Sequence, residues 1–352
     1  MPTFKNNPML PPLLFVRLLL GIALLFPLKL LGAVPVTPQA ESAVPQTEPA
    51  APQAEQLAPQ IKQSGSFDAV EAQRDYLSEK VISFAGYLDH FFGGDRHYQE
   101  SNASVFQLDL TRVAGYGGDS KPYLAGRLNL RLPATEGRFR LLLETDPEEN
   151  ITSEPTQGQP ARQTKAATSQ NIALAARYAT AKENVWHFSL DGGLKLPLPI
   201  TPFVRTRGSF SAPLGKWRMK VAESVYWFNT SGAGADTQLD MEHVLGAKTL
   251  FRASGNATWS DVKQNFDVHQ SLSIYHALND RTALLYQVGA TEVSNPQYQV
   301  TDYVALLFCR YRLHQEWLFF EISPQLHFPR VNNFKSTTAL SLRLEALFDE
   351  SR

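Results

Sequence analysis

The chain has 352 residues, of which 43% are hydrophobic, and a formal net charge of −1 at pH 7. This hydrophobic content excludes a chain that is disordered throughout, and the balanced charge excludes a basic field that would recruit nucleic acid. Cys309 is the only cysteine in the sequence, which rules out an intramolecular disulfide and a metal cluster built on cysteines.

Residues 1–33 are predicted to be an export signal. Lys5 and Arg17 precede the apolar run LLLGIALLFPLKLLGA, which ends at the small residue Ala33. Pro27 and Lys29 interrupt this run, so an uncleaved anchor is the competing interpretation. Elsewhere the sequence has no window with the ~20 apolar residues that a spanning helix needs. A membrane-bound mature chain would therefore cross the bilayer as strands.

Residues 34–65 are predicted to form a disordered linker. They are rich in Pro, Ala, Gln and Glu and poor in aromatic residues, so they bury too little apolar surface to offset the entropy of ordering. This segment is expected to act as an extended spacer.

Residues 66–94 are predicted to form an amphipathic periplasmic helix that stops at Gly93 and Gly94. Its stripe could pack on a surface of the same protein, lie on the inner leaflet at a barrel mouth, or engage a periplasmic partner through 66–92. A plug inside a polar lumen is disfavoured, because the stripe would then face charged side chains. The apolar stripe consists of Val70, Leu77, Val81, Phe84, Leu88 and Phe91.

From Ser104 onward the apolar residues alternate with polar ones, which is typical of strands with one apolar face. In the last segment Leu340, Leu342 and Leu344 share one face, whereas Arg343 and Glu345 share the other. Aromatic residues gather near the segment ends, where membrane-interface girdles sit. Short connections such as TAKEN and ALND take turns with longer ones such as GYGGDSKP and FNTSGAGAD. The pattern predicts an all-β fold, a closed antiparallel transmembrane β-barrel over residues 104–349 with about 14 strands, and 12 as the alternative.

The export signal, the alternating segments and the final stretch LSLRLEALF, with Phe348 near its end, resemble outer-membrane β-barrel proteins of diderm bacteria. More narrowly, YLDHFFGGDRHYQES and GRLNLRLPATEGRFRLLLETD are similar to a group of uncharacterised proteobacterial outer-membrane proteins. The resemblance implies insertion into outer-membrane lipid by the barrel assembly machinery, with the N-terminus in the periplasm. It implies no activity. The tail DESR after Phe348 departs from the usual pattern, in which the chain stops on the aromatic residue.

The polar faces of the predicted strands are rich in charge and are expected to line the lumen. They either pair across strands and fill a closed interior, or form the wall of a passage for small solutes. Because basic residues outnumber acidic ones, an open lumen is expected to prefer anions weakly, with Arg205 and Arg207 as the main contributors. The predicted lumen-lining residues are Arg127, Arg131, Arg140, Glu144, Asp191, Arg205, Arg207, Arg218, Arg252, Asp267, Arg310, Arg312, Glu321, Arg343 and Glu345.

No motif in the sequence predicts a metal site, a nucleotide or another cofactor. His269 and Ser271 share a strand face, as acyl-transfer chemistry requires, but no orienting acid is identifiable and both point away from the apolar face. A catalytic role is therefore not expected. Three functions stay open: a passive pore or small-solute transporter, a structural or interaction barrel with a blocked lumen and a periplasmic partner, and an outer-membrane lipid hydrolase.

Overall fold

The computed structural model describes residues 87, 88, 91, 104–118, 121–132, 138–145, 147–148, 172–180, 185–196, 199–314 and 317–349. These residues all belong to the compact unit Ser66–Arg352. The predicted export signal 1–33 and linker 34–65 lie outside the described residues, as does most of the predicted helix 66–94. Tyr87, Leu88 and Phe91 are the described residues of that helix, and all three have helical backbone.

The described strands form one closed barrel in which each strand pairs with its sequence neighbours and β1 pairs with β14. This confirms the predicted antiparallel β-barrel with fourteen strands. The strands are β1 (Val105–Gly115), β2 (Pro122–Arg131), β3 (Phe139–Thr145), β4 (Ile172–Ala179), β5 (Trp186–Lys195), β6 (Thr201–Leu214), β7 (Trp217–Phe228), β8 (Gly232–Gly246), β9 (Thr249–Ser260), β10 (Asn265–Asn279), β11 (Thr282–Val293), β12 (Gln299–His314), β13 (Leu318–Pro329) and β14 (Thr337–Asp349). A short 3-10 helix, Arg330–Asn332, follows β13.

The two ends of the barrel differ in their connections. At the end where β1 begins and β14 finishes, which we call the turn end, tight turns at 215–216, 247–248 and 280–281 join neighbouring strands. The opposite end, which we call the loop end, carries the long connection 146–171 between β3 and β4.

One predicted loop at the loop end proves to be a short turn. The stretch FNTSGAGAD was expected to be a longer connection, but residues 232–236 belong to β8. Gly232 adopts a φ of +72°, which reverses the chain at once. Gly234 then pairs with Tyr226, whose phenol oxygen would lie 2.3 Å from a Cβ at position 234. The strand therefore begins early because glycine lets the Tyr226 ring fold over it.

The outer face of the barrel is apolar. On β5, Trp186, Phe188 and Leu190 are 62%, 44% and 43% exposed, and similar residues continue around the barrel. A soluble protein rarely exposes apolar surface on this scale, whereas closure of the sheet leaves no unpaired backbone edge and so permits contact with lipid. Tryptophans lie near both rims, for example Trp217 beside the turn end and Trp227 beside the loop end. The exterior is that of a membrane β-barrel.

Among the described residues, no helix is long and apolar enough to cross a membrane.

The lipid-facing register can be tested on β14 and β2. Leu342→Arg should destabilise the folded barrel by about 2 to 4 kcal/mol, because it places a charge in the hydrocarbon layer. Ala125→Arg is the matched control, since Ala125 faces inward, is half-buried and lies opposite Asp109; this variant should fold normally. Refolding yields and urea unfolding in lipid vesicles measure both. Equal tolerance of the two substitutions would contradict the register.

Candidate functional site

The inner wall of the barrel carries all fifteen predicted lumen residues, because each occupies a strand position that alternates with an apolar outward one. They do not form one continuous charged lining. Most are gathered into separate ion-paired clusters, whereas Arg131 is exposed and Arg127 is half-buried.

The first cluster joins β3 to β6. Arg177 binds Asp191 with both Nε and Nη2, at 2.6 and 2.8 Å, and Arg205 Nε donates to the same carboxylate at 2.9 Å. Arg205 Nη2 also donates to Glu144 at 3.2 Å. All four side chains are at most 4% exposed. Sequence reasoning missed Arg177, since its strand, IALAARYA, shows little contrast between its two faces.

The base of the β3–β4 connection is hydrogen-bonded to the loop end of β5 and to the turn after β7. Lys195 Nζ donates to Glu148 Oε1 at 2.5 Å, and Thr230 Oγ1 donates to the same oxygen at 2.8 Å. Burial of Glu148 opposes its ionisation, but these hydrogen bonds hold the pKa of the Glu148 carboxyl below its usual value. The interaction therefore stabilises the fold at neutral pH and is lost as the pH falls through that lowered pKa.

A second cluster joins β12, β13 and β14. Arg310 Nη2 and Nη1 donate to the two oxygens of Glu345 at 2.6 and 3.0 Å, and Arg310 also binds Glu321. Arg343 binds the same two carboxylates from the other side, with Nη2 at 2.8 Å from Glu321 Oε1. The side chains of Arg310 and Glu345 are both 0% exposed. Charges removed from water in this way need their partners, because an unpaired charge would be costly.

A third cluster lies on β7 to β10. Glu242 accepts Arg252 Nε at 2.8 Å and Arg218 Nε at 2.7 Å on its two oxygens. The Arg252 guanidinium also donates to the Tyr275 hydroxyl at 3.0 Å and lies 4.7 Å from the centroid of that ring. In this cluster too, each charged side chain is paired with a neighbouring side chain of opposite charge.

These clusters change the expected origin of anion preference. Arg205 was expected to bias an open lumen, but its guanidinium binds both Glu144 and Asp191. The neighbouring Arg207 is buried and donates to Ser224 Oγ at 3.2 Å. The charge of Arg205, neutralised at such short range by two carboxylates, projects little field into a passage. Any preference must therefore come from more accessible basic side chains.

Part of the inner wall is apolar rather than charged. We call this surface the inner apolar patch; it includes Leu250, Tyr275, Ala277, Ala283, Leu285, Phe308, Phe319 and Leu347. Most of these residues lie close to the turn end of β9 to β14.

Leu88 and Phe91 of the N-terminal helix pack on the inner apolar patch and are 0% and 1% exposed. The Phe91 ring meets Phe319 edge-on, with centroids 5.9 Å apart, and the Arg312 guanidinium lies 5.6 Å from the Phe91 centroid. This differs from the expectation that an apolar stripe would avoid the lumen. The reason is local, since the wall at this point is itself apolar.

The inner face of β2 is one of the more open parts of the polar wall. Tyr123, Ala125 and Arg127 are half-buried and Arg131 is exposed, and the inward Asn129 between Arg127 and Arg131 is fully buried. Arg127 donates to Gln107 Oε1 at 3.0 Å. We call the inward side chains of this strand the β2 track. On β4, by contrast, each inward residue from Ala173 to Ala179 is buried.

The pair singled out for acyl transfer is not assembled. His269 Nδ1 lies 3.4 Å from Thr291 Oγ1, and within the described part of the chain the Ser271 Oγ is buried without a hydrogen-bond partner. A His and carboxylate pair occurs elsewhere, between His327 and Asp302 at 2.7 Å. Among the described residues there is also no group of three or more His, Cys, Asp or Glu placed to hold a metal ion.

Comparison with known proteins gives likenesses of fold. No family model and no curated protein matches the sequence. OprB of Pseudomonas putida is 9% identical, with 73% of this chain and 97% of OprB covered and a TM-score of 0.44. The outer membrane channel DcaP of Acinetobacter baumannii is 8% identical, with 70% and 96% covered and a TM-score of 0.38. The monoaromatic hydrocarbon channel CymD is 10% identical, with 74% and 94% covered and a TM-score of 0.42. At such identities, the function of this chain is argued from its own residues.

Proposed function

We propose that the protein is a β-barrel of the bacterial outer membrane that acts as a narrow passive channel for small solutes. The turn end faces the periplasm in this proposal, as short turns do in barrels of this class. The observation that carries the proposal is the β2 track, where Tyr123, Ala125 and Arg127 are half-buried and Arg131 is exposed, while Asn129 between them and the inward residues of β3 are buried. The passage runs along this track.

The track is basic, so the channel should favour anions. On the inner face of β2, Arg127 is half-buried and Arg131 is exposed. Fixed charge of one sign on a narrow wall concentrates ions of the opposite sign. The preference should fade near 1 M salt, where the Debye length is about 3 Å.

Planar-bilayer recording of the purified full chain tests this proposal. Under a salt gradient at low ionic strength, the reversal potential should lie toward the anion potential and should move back in Arg127→Glu. Arg112→Glu is the matched control, because Arg112 is an exposed residue on the outer face of β1. A reversal potential on the cation side would refute the charge assignment. No conductance from any variant would refute the channel.

A structural or interaction barrel is the second candidate, and the buried clusters favour it. Arg310 and Glu345 are fully covered, so the interior around them is filled. Under this alternative the lumen is blocked and residues 66–92 engage a periplasmic partner. Neither candidate uses His269 or Ser271, which face the interior and are not hydrogen-bonded to each other.

A further inference from the structure

One acidic side chain faces lipid in the middle of the outer wall. Glu223 lies on the outer face of β7, between Trp217 at the turn end and Trp227 at the loop end. Tryptophans of this kind lie at the two membrane interfaces, so a residue between them lies in the hydrocarbon layer. In the described strands, the other outward Asp, Glu, Lys or Arg residues are Arg112 and Glu292, and both lie near the loop end. Glu223 therefore stands apart at its depth.

The carboxyl group of Glu223 has one polar partner in the chain. The buried Thr237 lies opposite it on β8, and Thr237 Oγ1 donates to Glu223 Oε2 at 2.5 Å. Among the described residues, no other hydrogen bond and no ion pair reaches this carboxyl group. Ionisable side chains inside a membrane are costly and rare, and they are usually paired. One hydroxyl satisfies one of the two carboxyl oxygens, so a second polar partner is expected from outside the barrel.

The outer surface beside Glu223 is open enough for a partner to approach. The residue opposite Glu223 on β6 is Gly208, and a Cβ added to Gly208 would meet no atom within 4 Å. The flanking outward residues are accessible, since Val225 on β7 is 50% exposed and Phe188 on β5 is 44% exposed. Small residues at a membrane interface let two backbones come close. The gap at Gly208 thus leaves one side of the Glu223 carboxyl group within reach of a facing surface.

We infer that two copies of the chain associate side by side in the membrane through the Glu223 face, which consists of Thr206, Gly208, Val221, Glu223 and Val225. A neutral carboxyl group has one O–H donor and free acceptor oxygens, so two such groups form a reciprocal pair of hydrogen bonds. Two copies inserted in the same direction hold Glu223 at the same depth, and a twofold axis along the membrane normal brings the two carboxyl groups together. A second copy therefore supplies the missing partner. This inference goes beyond the proposed channel function, because association does not require conduction.

Sedimentation equilibrium of the purified full chain in a neutral detergent tests the inference. The wild type should form dimers. Glu223→Leu should weaken dimerisation by about tenfold or more, because it removes the hydrogen bonds between the two copies. Glu223→Gln is the matched control, since an amide group also carries both a donor and an acceptor, and this variant should dimerise much as the wild type does. A monomeric wild type, or a leucine variant that dimerises like the wild type, would overturn the inference.

Cross-linking in lipid vesicles locates the contact on the barrel. Val225 on β7 and Val288 on β11 both face outward and are 50% and 53% exposed, so cysteines at the two positions are equally accessible. Cys309 is the only native cysteine and is first replaced in a Cys309→Ala background. A thiol cross-linker should join two chains through Val225→Cys and should not do so through Val288→Cys. Equal cross-linking at both positions would mean that the barrels collide at random, and the Glu223 face would be refuted.

The stability of the single barrel gives a readout that does not depend on association. At a dilution where the protein is monomeric in vesicles, Glu223→Leu should unfold at a higher urea concentration than the wild type. The reason is that leucine leaves no polar group unpaired in lipid. If the variant unfolds at a lower urea concentration, the carboxyl group is already satisfied within one chain, and the inference fails. If Val225→Cys in intact cells cross-links to a different protein and never to a second copy, the face has another occupant and the dimer is refuted.

Discussion

Replacing Leu88 and Phe91 together with aspartate should raise the conductance of the barrel severalfold. Both side chains are fully buried against the inner apolar patch, next to Phe319 and Arg312. Burying two large apolar side chains contributes about 3 to 6 kcal/mol, so their loss should shift the docking of this segment by more than about 100-fold. Single-channel recording at fixed salt measures the change directly.

Tyr87→Asp is the matched control for that experiment. Tyr87 belongs to the same helical segment and contacts Phe91 with ring centroids 6.0 Å apart, but it is 40% exposed. One charge added there should leave conductance close to that of the wild type. A double variant that conducts like the wild type would mean that the segment does not narrow the passage. A double variant that no longer folds would instead mean that the segment is part of the barrel core.

The outer face of the barrel was predictable because it is set by local alternation. Side chains that contact lipid are apolar, and every second residue of a strand lies on the same face. The sequence LSLRLEALF therefore specified which side of β14 meets the membrane. The number of strands could be predicted from the turns. The early start of β8 could not, because it depends on the positive φ of Gly232 and on the Tyr226 ring that covers Gly234.

The inner wall was predictable in its charge but not in its pairing. Which carboxylate Arg205 chooses depends on register and on curvature, because Glu144 lies three strands away from it. The inner apolar patch was missed for another reason. On β12 the apolar residues Leu306 and Phe308 face inward while Leu307 and Cys309 face outward, so the alternation disappears there. When both faces of a strand are apolar, the sequence does not indicate which face contacts lipid. The inward apolar residues of β12 are explained by their packing against Leu88 and Phe91.

Replacing Arg310 with methionine should destabilise the folded barrel by about 3 to 5 kcal/mol, which is the usual cost of breaking a buried ion pair from one side. Among the described residues, Glu321 and Glu345 would then share Arg343 alone, at 2% and 0% exposure. Chemical unfolding of the barrel in lipid vesicles, followed by tryptophan fluorescence, measures the free energy. A second substitution should recover part of the loss, because Arg310→Met/Glu345→Met removes the stranded charge as well as its partner.

Lys263→Met provides the exposed counterpart of that experiment. Lys263 pairs with Asp267 at 2.8 Å, but the lysine is 58% exposed, and such surface pairs contribute about 0 to 1 kcal/mol. The contrast between the two variants reports on the interior around β12 to β14. If Arg310→Met costs no more than Lys263→Met, water must reach Glu321 and Glu345 and stabilise them in place of the arginine. That result would mean that the passage runs along β12 to β14 as well as along the β2 track. A large difference would mean that this side of the barrel is sealed by its own ion pairs, which confines solutes to the basic face of β2.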